Sequence, residues 1–135
     1  MKKLFSTRYS DNSISIALLL LRLAMGGLMI AHGFEKLTQF VKVAKTFPDP
    51  FHLGTTISLS LVIFAEFFCA VLLVLGLMTR LVTIPLIITM IVAVFMIHKS
   101  DFFGEAEHAT LYLAGYIALL FAGPGKASMD RMLGN

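Results

Sequence analysis

The chain has 135 residues, of which 58% are hydrophobic and only 14% charged. That balance excludes a disordered segment and an ordinary soluble fold, and the length leaves room for one domain. The net charge of +3 comes from basic residues spread over both ends and the loops rather than gathered in a stripe, which excludes a nucleic-acid surface.

The charges are segregated along the chain. Stretches 12–34, 50–79, 81–98 and 108–125 contain Arg22 and Glu66 as their only Asp, Glu, Lys or Arg, although the chain holds 11 basic and 8 acidic residues. A helix needs about 20 apolar residues to cross hydrocarbon, so four such stretches use almost the whole chain and leave no separate soluble catalytic domain. The sequence therefore predicts an all-α integral membrane four-helix bundle, a single domain over 1–135, with spans near 13–33, 55–78, 81–98 and 108–123.

Met1-Lys2-Lys3 opens the chain in the manner of a signal peptide, but 6–13 is polar, Arg22 interrupts the apolar run and no small-x-small cleavage pattern follows. The first helix is read as uncleaved. Gly26, Met29 and Gly33 share the helical face of Arg22, which suits close helix packing or a ligand slot. In the next segment, 34–47, the residues Phe34, Leu37, Phe40, Val41, Ala44 and Phe47 fall on one arc, with Glu35, Thr38, Gln39, Lys42 and Lys45 opposite and Val43 the exception. The pattern predicts an interfacial amphipathic helix on the extracytoplasmic surface, or else a cover on the bundle. Pro48-Asp49-Pro50 should stop it.

The second and third helices are joined only near 76–80, so they should form a tight antiparallel hairpin with Arg80 at the inner headgroups. Pro85 then falls in the first turn of the third helix, where it does little harm. Gly123-Pro124-Gly125 ends the fourth helix. No internal repeat argues for inverted-repeat transport. With the N-terminus inside, Lys2, Lys3, Arg8, Arg80, Lys126 and Arg131 are cytoplasmic and Lys36, Lys42, Lys45 and Lys99 lie outside, which predicts a multi-pass protein of the bacterial inner membrane with both termini cytoplasmic.

Arg22 and Glu66 are the candidate catalytic residues, because each charge costs about 2.5 to 3.5 kcal/mol near the centre of a span. Arg22 lies ten residues from Asn12 and Glu66 ten from Gly76, so both are expected at the same depth, in contact. Such a pair is either a functional site or proton relay, or a device that fixes helix register. Cys69 neighbours Glu66 and reads as a small packing residue; one cysteine gives no disulfide, CxxC pair or iron-sulfur site.

All four histidines, His32, His52, His98 and His108, fall at the outer helix ends. With Lys36, Tyr112 and Tyr116 they outline a polar pocket facing outward, in which His32, Lys36, His98, His108 and Tyr112 are the candidate contacts for a bound amphiphile. A solvated interfacial histidine is the plainer reading of each. Glu105 and His108 have the Glu-x-x-His spacing of di-iron bundles without the second copy such sites need. A haem between His32 and His98 is disfavoured, no metal site is expected, and no nucleotide motif exists. If electrons pass, a quinone or a partner subunit must carry them.

The ordered elements Arg22 with Gly26-Gly27, His32-Gly33-Phe34-Glu35-Lys36, Glu66, Gly76-Leu77-Met78-Thr79-Arg80, His98 and Gly123-Pro124-Gly125-Lys126-Ala127-Ser128-Met129-Asp130 resemble the DoxX-like family of small membrane proteins over nearly the whole chain. The second element is similar to the family's His-Gly-x-x-Lys and the last to its Gly-Pro-Gly-x-x-Ser-x-Asp. The resemblance implies a four-helix inner-membrane protein, often linked to quinone-dependent sulfur oxidation or oxidative-stress complexes.

Three functions follow as expectations. The first is a redox-associated subunit of a quinone-linked oxidoreductase complex, binding a quinone or similar amphiphile between its helices in the lipid bilayer, with an oxidoreductase partner subunit or as a homo-oligomer. The second is a non-catalytic assembly or scaffold protein. The third, a small-solute permease, needs a polar path for which the inner half offers only Arg22 and Glu66.

Overall fold

The computed structural model describes residues 6–134; Lys2 and Lys3, on which the expected orientation leans most, lie outside the described residues. Those residues form helices and connecting turns, with no strand among them. Helix α1 spans Asp11–Thr38, α2 is the short Phe40–Val43, α3 is Thr55–Leu75, α4 is Thr79–Ile97, α5 is Glu107–Ala122 and α6 is Met129–Met132. Helices α1, α3, α4 and α5 pack in a closed ring, each against the next.

The Ser10 side chain accepts a hydrogen bond from the Ser13 N–H and so starts α1 at Asp11. The buried stripe of α1 is Arg22, Gly26, Met29 and Gly33, the face the sequence singled out. Both glycines serve close packing: a Cβ on Gly26 would lie 2.6 Å from Val74 Cγ2, and one on Gly33 would lie 2.6 Å from the backbone of Glu66 and Phe67. Small residues let helices approach where apolar burial gives no drive between them.

The expected helix over 34–47 is not a separate element. No breaker separates Gly33 from Lys36, so α1 runs on to Thr38, and only the four residues of α2 remain after the kink at Gln39 (φ −105°, ψ 26°). Phe34, Leu37 and Val41 are exposed, while Val43, the exception to the expected pattern, is half-buried.

Helix α3 contains a π-helical segment, Phe64–Cys69, and ends at Gly76, whose φ of 70° is left-handed. The Leu77 N–H donates to the Leu72 carbonyl at 2.9 Å and the Gly76 N–H to Leu73 at 3.0 Å, a Schellman ending. The link to α4 is therefore only 76–78. Because α4 starts at Thr79, Pro85 stands inside the helix rather than in its first turn, where it cannot donate to the Leu81 carbonyl. A second π-helical turn, Ala93–Ile97, closes α4.

The core is built from Met29 of α1, Ala65, Cys69 and Leu73 of α3, Leu86 and Met90 of α4, and Tyr116 and Leu119 of α5, among others. Around it Leu20, Leu28, Leu61, Phe68, Ile88, Phe95, Leu111 and Phe121 point outward and exposed. An apolar belt of this extent suits hydrocarbon rather than water, and helices satisfy their own backbone there. Three helices, α1, α3 and α4, are long and apolar enough to cross a membrane; α5, with 16 residues, is apolar but shorter.

Candidate functional site

The two intramembrane charges do not meet. Gly76 sits against Arg22, since a Cβ there would lie 2.8 Å from the Arg22 Cζ, whereas Gly33 sits against Glu66. Antiparallel α1 and α3 thus pair Arg22 with the end of α3 and leave Glu66 opposite Gly33, eleven residues or about 16 Å further along α1. Matching depths from Asn12 and Gly76 fails because α1 overruns the end of α3 by about three turns.

Arg22 is 2% exposed and is held by backbone carbonyls. Its Nη1 donates to Pro124 at 2.6 Å, and its Nη2 to Ala127 at 2.9 Å and to Val74 at 3.3 Å. The last turn of α3 presents partial negative charge there. Asp130 completes this lock: its carboxylate accepts from the Met78 N–H at 2.7 Å and the Thr79 N–H at 2.9 Å, capping α4, and its own N–H donates to Gly76 at 2.9 Å. Burial works to raise the Asp130 carboxyl, but those two N–H donors and the Arg22 charge outweigh it and hold it below the usual carboxylate range. Arg80 Nη2 reaches the Phe121 carbonyl at 3.4 Å, at the end of α5. The Gly-Pro-Gly tail is thereby joined to Arg22 within α1 and to the facing ends of α3 and α4.

At the other end Glu66 is 6% exposed and lies in the π-helical segment of α3. Such bulges re-aim side chains and often mark functional sites. Gly33 brings α1 against that segment, and Lys36, one turn on, donates its Nζ to Glu66 Oε2. The pair borders a cavity of about 330 Å³ whose walls are otherwise mostly apolar: Val62 from α3, Ile88, Val92 and Ala93 from α4, and Phe47, Pro50 and Phe51 from the connection before α3. Ser58, Thr89 and His98 add polar atoms. The second π-helical turn supplies Ala93 and Ile97 to this wall, so both irregular turns border one space.

Asp49 fixes the cover of the cavity. Its carboxylate accepts from the Ser58 hydroxyl at 2.7 Å, the Gly54 N–H at 2.8 Å and the Leu53 N–H at 3.0 Å. The Ser58 bond first, and then the two backbone donors, hold the carboxyl below its ordinary range against the opposing effect of burial. This ties the Phe47-to-Leu53 connection to the first turns of α3.

The residues expected in the pocket separate into two groups. Lys36 and His98 line the cavity with Glu66, and His98 Nδ1 faces Glu105 Oε2 at 3.6 Å. His32 instead packs edge-on against Tyr112 at 6.3 Å, and Tyr112 stacks on Tyr116 at 6.0 Å; neither His32 nor Tyr112 borders the cavity. His52 and His108 are exposed and also stand outside it. Cys69 is buried in the core. Sequence reasoning missed Asp130 as the charge facing Arg22, Asp49 with Ser58, and the part of the Pro-rich connection in covering the cavity. Setting the α1–α3 register on Gly33 rather than on the helix ends would have found Lys36 as the partner of Glu66.

A helical membrane protein with one charge locked in backbone at one end and an ion pair beside an apolar cavity at the other is the class these features define. The chain belongs to the DoxX family, whose model matches residues 17–99, from α1 to the end of α4, and so includes Arg22, Gly33, Lys36, Glu66 and His98. It is similar to the uncharacterized membrane protein Rv3486 of Mycobacterium tuberculosis (strain ATCC 25618 / H37Rv), at 35% identity over 50% of this chain and 50% of that protein. The chain thus spans about half the length of this relative. No solved structure matches it.

Proposed function

We propose that this DoxX protein is a small redox-associated subunit of the bacterial inner membrane that binds a quinone or similar amphiphile in the Lys36–Glu66 cavity. The observation that carries the reading is an ion pair between buried Glu66 and half-buried Lys36 that opens on an apolar space of ligand size. Leu61 and Ile88, exposed on the outer faces of α3 and α4, flank that space, so an alkyl tail can leave between the two helices into lipid while the head stays beside Lys36. The residues fit a quinone head: Lys36 supplies a donor for a carbonyl, and Val62, Val92 and Ala93 supply the contact surface. When bound, such a group would carry electrons to or from a partner subunit. This chain's own residues bind, orient and desolvate the head.

In this reading α5 is the fourth span, both termini are cytoplasmic, the cavity lies in the extracytoplasmic half and α2 rests at the outer interface. The test is saturable binding of decylbenzoquinone to purified protein in lipid nanodiscs. Lys36→Met and the cavity-filling Ala93→Phe should each weaken binding about tenfold or more, and Lys42→Ala, at a position outside the cavity, should leave it unchanged. Equal binding by all four proteins would replace this reading with the assembly role, which draws support from Arg22, a charge held by its own chain's backbone.

A further inference from the structure

We infer that the cavity selects an uncharged head bearing a hydroxyl group, a hydroquinone or phenol, over the corresponding carbonyl compound and over any ionic amphiphile. The inference rests on the amphiphile-binding reading and follows from the hydrogen-bonding groups the ion pair leaves unspent. Lys36 Nζ carries three donors and uses one, on Glu66 Oε2. Among the described residues Glu66 Oε1 has no hydrogen-bond partner, and it belongs to a side chain only 8% exposed. Of the other polar groups of the wall, the Ser58 hydroxyl donates to Asp49 and the Thr89 hydroxyl to the Pro85 carbonyl, while His98 turns its Nδ1 toward Glu105 Oε2 at 3.6 Å.

The cavity therefore offers an acceptor and a donor side by side, in surroundings where an unpaired polar atom is costly. A hydroxyl satisfies both, donating to Glu66 Oε1 and accepting from Lys36 Nζ. A carbonyl satisfies only Lys36 and sets its lone pairs against those of Glu66. Charge gives the second half of the selection. Lys36 and Glu66 neutralise one another, so a carboxylate or phosphate head brings a net negative charge to Glu66 and an ammonium head a positive one to Lys36, each without a counter-ion from the pair.

The experiment compares decyl-chain ligands with the same tail, displacing radiolabelled decylhydroquinone from wild-type protein in nanodiscs under anaerobic, reducing conditions, with the quinone arm measured in the absence of reductant. Decylhydroquinone and decylphenol should bind at least about tenfold more tightly than decylbenzoquinone, the fold-change expected for one hydrogen bond to a charged group, and decanoate and decylamine more weakly still. Equal or tighter binding of the quinone overturns the selection while leaving the amphiphile reading standing. Tightest binding of decanoate or decylamine overturns the neutral-head argument in the same way. Absence of saturable binding for the whole series overturns both. In Glu66→Gln the side chain can donate to a carbonyl, so the hydroquinone-to-quinone ratio should fall toward one; an unchanged ratio means that the head does not contact Glu66.

Discussion

Gly76 is held to its identity twice over, by a φ of 70° that ends α3 and by the Arg22 guanidinium 2.8 Å from where a Cβ would stand. The same economy of contacts distinguishes the two charges expected to meet. A double-mutant cycle on Lys36→Met and Glu66→Gln should show a coupling on the order of 1 kcal/mol in unfolding free energy, whereas Arg22→Gln with Glu66→Gln should be additive within about 0.5 kcal/mol. Coupling of the second pair and not the first would restore the register expected from the sequence. Asp130 makes a pH prediction. Its folded-state carboxyl lies below its ordinary value, so the stability it contributes is fully present above the unfolded value of about 3.9 and is lost as pH falls through the lowered one. Thermal unfolding against pH should show this loss below about pH 4, reduced in Asp130→Asn. A remainder should persist from Asp49, which is shifted in the same direction; an identical acid profile in wild type and Asp130→Asn would mean that the cap does not form. In the sequence, Arg22 and Glu66 were legible as costly charges, but partners thirty residues away for Glu66 and over a hundred for Arg22 depend on register and on the tail, which hydropathy does not encode.

The elements were more legible than their junctions. Long apolar runs mark α1, α3, α4 and α5, and the positions of Arg22, Gly26, Met29 and Gly33 mark the buried side of α1, because periodicity and cost act locally. The end of α1 was not legible, since the apolar run stops at Phe34 while the helix continues through the polar residues Glu35, Lys36 and Thr38. Neither π-helical turn has a sequence signal of its own. Gly33→Ala tests the coupling between elements. The added methyl must push α1 away from the Glu66 backbone, so the variant should lose about 1 to 3 kcal/mol of stability and weaken binding at the cavity, while Gly27→Ala, with no atom within 4 Å of its added carbon, should do neither. Equal effects of the two substitutions would show that α1 does not press on the π-helical segment.

At the scale of the whole molecule, the separation of a backbone-locked end from a cavity end was not legible beforehand, because the Pro-rich connection and the closing tail are polar stretches whose role appears only when helix ends come together. The family resemblance supplied the order of motifs, and the structure shows that Gly76 and Asp130, far apart in that order, belong to one lock. The proposed orientation predicts that cysteines placed at Thr46 and Ser100 in a Cys69→Ser background react with an impermeant thiol reagent in intact cells. Labelling only after membrane inversion would reverse it. The unequal helices have a further consequence for the surrounding lipid. Helix α1 rises about 42 Å and α5 about 24 Å, against a hydrocarbon thickness of about 30 Å. With α5 as the proposed fourth span, acyl chains beside it must shorten or disorder while those beside α1 need not, at fractions of a kcal/mol per Å of mismatch. That proposed arrangement presents a thin flank and a thick flank to one bilayer. Its thermal stability should be higher in dimyristoyl than in dieicosenoyl phosphatidylcholine, and the opposite order would mean that α5 does not cross the hydrocarbon.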